Sequence, residues 1–241
     1  MPDIGNLTEW VCATQRLAHF RAFRYPQTMP SIQNEREQFW QQYYSGEIHG
    51  DNELVEQPSP FAEEVVRNIL LGSGCSLLEI GCGNGRDSFF FASKGVVVVA
   101  TDICEAAIRI TASRLPKDCR ALVASAKTLP EDIYVDYAYA RFVLHALTEE
   151  EQRELFMWLT IHVKKKVFIE TRSLNDPRHG RGEKVGENAY VDTHYRRFMS
   201  CDDLHAAATE VGLIVDDIQD TTPGSGNDGA RVVRATLSVK Q

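Results

Sequence analysis

The stretch Leu77-Leu78-Glu79-Ile80-Gly81-Cys82-Gly83-Asn84-Gly85-Arg86-Asp87 is an apolar strand that runs into a glycine-rich turn and then opens a helix. Without Cβ atoms the glycines allow positive φ and let a ligand lie against the main chain, while amides at the helix start point outward for hydrogen bonding. The next apolar run, Val96-Val97-Val98-Val99-Ala100-Thr101, ends at Asp102, about 20 residues beyond the first glycine, where a carboxylate can accept from both hydroxyls of a ribose. A dinucleotide fingerprint would place its third glycine at Arg86; here the pattern is Glu79-x-Gly81-x-Gly83-x-Gly85. An acid two residues before the first glycine suits a ligand with cationic groups and has less purpose beside a pyrophosphate.

The rest of the chain alternates short β runs with helices, the sequence form of a parallel sheet with crossover helices. Strands are predicted at Ser76–Ile80, Val96–Thr101, Arg120–Ala124, Tyr134–Ala140, Lys166–Thr171, Leu213–Ile218 and Arg231–Val239. Helices are predicted at Asp87–Lys94, ended by Gly95, and at Glu105–Arg114, ended before Pro116. Thr148 with Glu151 forms a capping box for a helix to about Leu159, and Ser200 with Asp203 opens another that Gly212 closes. Ser59-Pro60 reads as an N-cap followed by proline at the first helical position, with Phe61, Val65, Ile69 and Leu70 on one face and Gly72 at the end. The loop from Thr221 to Ala230, rich in Gly and Pro, is too short for a crossover helix, so the last two strands are expected to be antiparallel neighbours. Residues 1–57 form a polar, aromatic arm (Phe20, Phe23, Tyr25, Phe39, Trp40, Tyr43, Tyr44) with short helices, ahead of a main domain at 58–241.

Composition narrows the class of partner. At 241 residues, one α/β domain with a lid is the default. A net charge of −8 disfavours nucleic acid, and a small molecule is expected instead. No basic segment leads into an apolar run near Asp3 and Glu9, and the apolar stretches around Phe89 and Val96 are too short to span a bilayer, so the expectation is a cytoplasmic protein without a membrane partner. Six cysteines (Cys12, Cys75, Cys82, Cys104, Cys119, Cys201) include no CxxC pair, so no metal is expected.

Glu79 through Gly85, Asp102 and a final reversed strand together resemble the class I S-adenosylmethionine (SAM)-dependent methyltransferases. The resemblance implies a Rossmann-like seven-stranded sheet, mostly parallel with the last strand antiparallel, flanked by helices, with the N-terminal arm and a lid insertion after strand five. It implies SAM as methyl donor, held by Glu79, Gly81, Cys82, Gly83, Asn84, Gly85, Arg86, Asp102, Ile103 and Arg141. After the third strand the family usually presents an acid or amide to adenine; here the sequence is Ala124-Ser125-Ala126, so Ser125 or a main-chain amide around Ala126 takes that place. The Asn/Asp-Pro-Pro-Tyr tetrad of base-modifying amino-methyltransferases is absent, and Arg141 stands where metal-dependent catechol-type enzymes have an acid.

Candidates for the reacting end follow strands four and five. His145 is a candidate general base, since imidazole titrates near neutrality, with packing or a main-chain bond as the alternative. The roughly 25 residues after strand five exceed ordinary loop length and read as a substrate lid. They gather Arg172, His194, Tyr195, Arg196 and Arg197, which suits an anionic acceptor because guanidinium groups bind phosphoryl or carboxylate oxygens in two-pronged fashion. A charged, solvated face is the alternative. Phe39-Trp40-x-x-Tyr43-Tyr44, Arg141-Phe142-x-x-His145-Ala146, Glu170-x-Arg172-Ser173 and His194-Tyr195-Arg196-Arg197 resemble a bacterial branch found beside polysaccharide and capsule genes. That resemblance implies a phosphoramidate-type acceptor gripped by Arg172, His194 and the paired arginines, with His145 and His194 as acid–base candidates. It also implies that Trp40, Tyr43 and Tyr44 close over the donor, with Tyr43 and Tyr44 among the residues that touch the acceptor. The expectation is O-methyl transfer to a small anionic acceptor; N- or S-methylation of a neutral or cationic molecule, or a non-catalytic partner with the same fold, are the rivals.

Overall fold

The structure, a computed structural model, describes residues 29–46 (side chains from residue 36), 57–68, 74–224 and 229–240. The arm residues Phe20, Phe23 and Tyr25, the helix-face positions Ile69 and Leu70, and the proposed stop at Gly72 lie outside the described residues. Helices α1 (Met29–Ser45) and α2 (Pro60–Asn68) precede β1 (Ser76–Ile80), α3 (Arg86–Ser93), β2 (Val97–Asp102), α4 (Glu105–Ala112), β3 (Arg120–Val123) and β4 (Val135–Arg141). A 3-10 turn (Leu144–Ala146) leads to α5 (Glu149–His162) and β5 (Val163–Arg172); three short strands β6 (Glu183–Gly186), β7 (Ala189–Val191) and β8 (Tyr195–Arg197) follow. The chain then runs through α6 (Cys201–Glu210), β9 (Ile214–Thr221) and β10 (Val232–Ser238).

Seven strands form one sheet in the order β3-β2-β1-β4-β5-β10-β9. β1 pairs in parallel with β2 and β4, and β10 is antiparallel to both β5 and β9, so β10 is the single reversed strand. The chain therefore has the Rossmann-like methyltransferase architecture. Successive residues of a strand face opposite sides of the sheet. In β1, Leu78 and Ile80 join a core with Leu155, Leu159, Val167, Ile169 and Leu204 under α5 and α6. Leu77 joins the opposite core with Phe61, Phe91, Val98, Ile108 and Tyr139 under α2, α3 and α4. Burial on both faces explains why β1 and β2 read as continuous apolar runs rather than alternating ones.

The seven expected strands are present, β1 with the expected bounds and the others with ends moved by at most three residues; β5 begins at Val163 because α5 passes into it directly. Helix α4 ends at Ala112 rather than Arg114, and α5 continues beyond Leu159 to His162. Both capping boxes form, with Glu151 N donating to Thr148 Oγ1 at 3.2 Å and Asp203 N donating to Ser200 Oγ at 3.0 Å. The lid expected as a loop holds a three-stranded antiparallel sheet, β6-β7-β8. Its strands of three or four residues are too short for a period-two pattern to show. Among the described residues no helix is long and apolar enough to cross a membrane, and no group of His, Cys, Asp and Glu could hold a metal ion.

Ser59 joins these layers. Its Oγ accepts from Ala62 N at 3.1 Å to cap α2, and its N and Oγ each donate to Asp87 of α3 at 2.7 Å. Ser59→Ala removes a cap and one of the bonds to a buried carboxylate, so urea denaturation is expected to show a loss of about 1–3 kcal/mol. An unchanged midpoint would show that these bonds add no net stability.

Candidate active site

The glycine turn has the conformation its sequence demands: Gly81, Gly83 and Gly85 have φ of +71°, +55° and +80°. Packing adds a second requirement at Gly85, where a Cβ would lie 2.6 Å from Thr111 Oγ1; that hydroxyl donates to Gly83 O at 3.1 Å. Asp102, at the end of β2, ties the turn to the next loop by accepting from Gly83 N at 2.8 Å and Cys104 N at 2.9 Å. Burial raises the pKa of Asp102, and these amides partly offset the shift.

Strand parity aims Glu79 at α3. It lies on the same side of the sheet as Leu77, directly opposite Tyr139 of β4, and accepts a short hydrogen bond from Ser88. Asp87 is close by, bonded to Ser59 and, at 2.9 Å, to the Tyr139 hydroxyl. Burial first, and the neighbouring Asp87 second, hold the Glu79 carboxyl well above its usual range. No cationic side chain bonds Glu79 among the described residues, whereas Asp87 has Arg86 Nε at 3.8 Å. Two adjacent buried carboxylates with so little positive charge suit a cationic ligand such as a sulfonium bearing an amino group.

These groups line a cavity of about 650 Å³. Of the residues expected to hold the donor, Glu79, Gly81, Cys82, Gly83, Asn84, Arg86, Asp102, Ile103, Ser125, Ala126 and Arg141 line it, and Gly85 packs behind against Thr111. Ser125 Oγ accepts from Lys127 N at 3.2 Å and lies 3.0 Å from Thr128 Oγ1, so it shapes the turn after β3.

Helix α1 covers the cavity. Trp40, Tyr43 and Tyr44 line it, and Tyr44 is half-buried with its hydroxyl against Gly83; burial, then Asp102, raises its pKa well above the ordinary value. Tyr44 therefore lies beside the glycine turn. Gln41 Nε2 donates to Ile103 O at 3.0 Å, and Arg36 bonds Glu151 through two nitrogens, each at 2.8 Å, and Ala146 O at 2.7 Å. Arg36, Asp87, Lys127 and Glu151 line the cavity without having been expected from the sequence. Glu151 was visible as a capping residue, and its simultaneous pairing with a helix more than 100 residues away was not.

The remaining candidates lie outside this cavity's lining. Phe142, in the left-handed region at φ +54°, forms its wall and has the guanidinium carbons of Arg141 and Arg172 at 4.5 and 5.1 Å from its ring centroid. A bulky residue there is strained, a feature concentrated at functional sites. His145, Arg172, His194 and Arg196 come together beyond it. His145 is fully buried, Nδ1 has no partner, and burial followed by the positive charge of Arg172 holds its pKa well below the ordinary value. His194 stacks on Phe39 at 4.2 Å and is lowered to about 3 by burial and then by Arg196. Both imidazoles are therefore neutral near neutral pH. Arg172 pairs with Asp176 at 2.7 Å, and Arg196 pairs with Asp192. Tyr195 lies under the Arg36 guanidinium at 5.2 Å, and Arg197 is spent on Leu147 O at 3.1 Å and on Gln152, fastening β8 to α5. The charged run is thus mostly buried rather than a solvated face.

A permanently cationic ligand favours ionised Glu79, so below the raised pKa its binding releases a proton and its affinity rises with pH. Titration calorimetry with a sulfonium nucleoside from pH 5 to 8 is expected to show that rise, and Glu79→Gln to flatten it while weakening binding. A wild-type affinity independent of pH would show that Glu79 is already ionised or does not face the ligand.

Residues 77–166 match the model of a family described as a methyltransferase domain. No curated protein matches the sequence. Among solved structures, the chain is similar to a SAM-dependent methyltransferase from Methanosarcina mazei, with a TM-score of 0.63 and 17% identity over 73% of this chain and 96% of that one. It is also similar to the Burkholderia thailandensis 1,6-didemethyltoxoflavin-N1-methyltransferase with bound 1,6-didemethyltoxoflavin and S-adenosylhomocysteine (TM-score 0.67, 18% identity, 86% and 88% covered). A third is the magnesium protoporphyrin IX methyltransferase from Synechocystis PCC 6803 with bound SAM (TM-score 0.61, 12% identity, 85% and 97% covered). Residues 77–166 thus match a methyltransferase-domain family, and the chain as a whole has the fold of the solved SAM-dependent methyltransferases to which it is similar.

Proposed function

We propose that this protein is a SAM-dependent methyltransferase that O-methylates a small anionic acceptor bearing a carboxylate or phosphoryl group. The observation that carries the proposal is one cavity lined by Glu79, Asp102 and the glycine turn together with Phe142, Trp40 and Tyr43. The donor supplies a methyl group already activated on a sulfonium. Asp102 and the turn amides hold its ribose, Glu79 faces its cationic part, and α1 excludes water. What remains for the protein is alignment of the acceptor oxygen with the methyl group.

Two features favour an anion. Arg172 and Arg196 place positive charge behind the Phe142 wall, where Arg172 pairs with Asp176 and Arg196 bonds Asp192, Thr193 and His194. In addition, neither His145 nor His194 lines the cavity, and an acceptor oxygen that is already ionised needs no general base. The two histidines are neutral and buried outside that lining. The finer reading, a capsule-type phosphoryl acceptor, rests only on sequence resemblance. The Burkholderia structure is that of an N1-methyltransferase, so methylation of nitrogen is the rival.

Purified protein with SAM is expected to form S-adenosylhomocysteine with small carboxylates or phosphate monoesters and not with neutral amines or thiols. Arg196→Gln is expected to raise KM for the anionic acceptor about 10-fold or more while leaving the affinity for SAM unchanged. Turnover of amines or thiols alone would replace the anionic acceptor with the N- or S-methylation reading, and no product with any acceptor would favour a non-catalytic partner.

A further inference from the structure

We propose that Arg141 receives the carboxylate of the donor's amino-acid moiety and that Glu170 is the residue that positions it; the inference rests on SAM being the donor. The methionine end of that donor carries an ammonium and a carboxylate together. Glu79 and Asp87 account for the positive group, so the negative one requires a cation at the same end of the cavity. Among the described residues four cationic side chains line it: Arg36, Arg86, Lys127 and Arg141. Arg36 is engaged by both oxygens of Glu151, and Lys127 lies after β3, 3.7 Å from the same carboxylate. Arg86 has Asp87 beside it at 3.8 Å.

Arg141 differs in both place and commitment. Strands β1 and β4 run in parallel with Ile80 opposite Ala140, so Arg141 follows on β4 where Gly81 follows on β1, beside the first glycine of the turn. Its Nε is 2.8 Å from Glu170 Oε1, an ion pair whose N–H is not aligned on the oxygen, and its two terminal nitrogens have no hydrogen bond among the described residues. A guanidinium held from behind by Nε, with its terminal pair open toward a cavity, is arranged for two-pronged carboxylate binding.

Glu170 is placed by register. Arg141 of β4 and Arg234 of β10 are both directly opposite it on β5, giving a cross-strand ladder Arg141–Glu170–Arg234 on one face of the sheet. Arg234 Nε donates to Glu170 Oε2 at 2.7 Å, and its NH1 reaches Glu64 of α2 at 2.5 Å. Glu170 is wholly buried. Such a carboxylate cannot follow a wandering guanidinium, so the ladder fixes Arg141 against Phe142 and the turn.

The test compares binding of S-adenosylhomocysteine with binding of its decarboxylated analogue by calorimetry. The wild-type chain is expected to prefer the carboxylate form by about 10- to 100-fold. Arg141→Ala should bring that ratio close to one without weakening the decarboxylated ligand, and Arg141→Lys should restore part of it. Glu170→Gln, which keeps the shape of the side chain, should reduce the ratio several-fold; Glu64→Gln, at the more exposed end of the ladder, provides a milder variant with the same direction of change. A ratio retained in Arg141→Ala, or lost in Arg86→Ala instead, overturns the assignment of Arg141. A ratio untouched in both Glu170→Gln and Glu64→Gln overturns the positioning role. If the wild-type chain binds neither ligand, the donor reading itself falls, an outcome separate from a wild-type chain that binds both equally, which refutes the carboxylate site alone.

Discussion

Keeping three carboxylates buried around one glycine turn is the constraint on which the rest of this structure depends. Glu79, Asp87 and Asp102 are each less than a tenth exposed, and burying a charge is costly unless hydrogen bonds or an opposite charge compensate it. Asp102 is compensated by main-chain amides that the glycine turn aims at it, and Asp87 by Ser59 and Tyr139. Glu79 has one hydroxyl. That imbalance makes the cavity a site for positive charge, and the α2 cap, the β4 tyrosine and the start of α3 are all drawn into maintaining it.

Positive charge is arranged on the other side of Phe142. Arg172 and Arg196 gather between the strained end of β4 and the small lid sheet, and helix α1 seals the assembly by stacking Phe39 on His194 and pairing Arg36 with Glu151. An acidic chain thus separates its field locally: three buried carboxylates surround the glycine turn, with Arg86 and Arg141 beside them, while Arg172 and Arg196 gather beyond one aromatic ring. The lid sheet matters to this separation because Arg197 anchors it to the loop before α5 and to Gln152, which leaves Arg196 turned toward His194.

Much of the fold was legible because its signals are local. Thr148 with Glu151 and Ser200 with Asp203 cap helices within four residues, and the short Gly-rich loop before β10 announced a reversal. The lid sheet was not legible, since its three short strands take their pairing from one another rather than from periodicity. Nor could the sequence separate Arg196 from Arg197. Adjacent residues on a strand point to opposite faces, and one joined the histidine cluster while the other became a fastening. His145 and His194 looked like titrating groups because free imidazole titrates near neutrality; burial among arginines moved both away from that range.

The sequence by itself determined the sheet, the glycine turn and the place of an acid, Asp102, at the end of β2, because backbone conformation, capping and strand parity depend on residues within a few positions of one another. Tertiary structure alone decided which charges meet. Glu170 stands between Arg141 and Arg234 only because three strands from distant parts of the chain align in register, and Arg36 reaches Glu151 only because α1 folds back over the cavity. Ion pairs act over a few ångströms of space and are indifferent to separation along the chain, so no spacing in the sequence could have announced them.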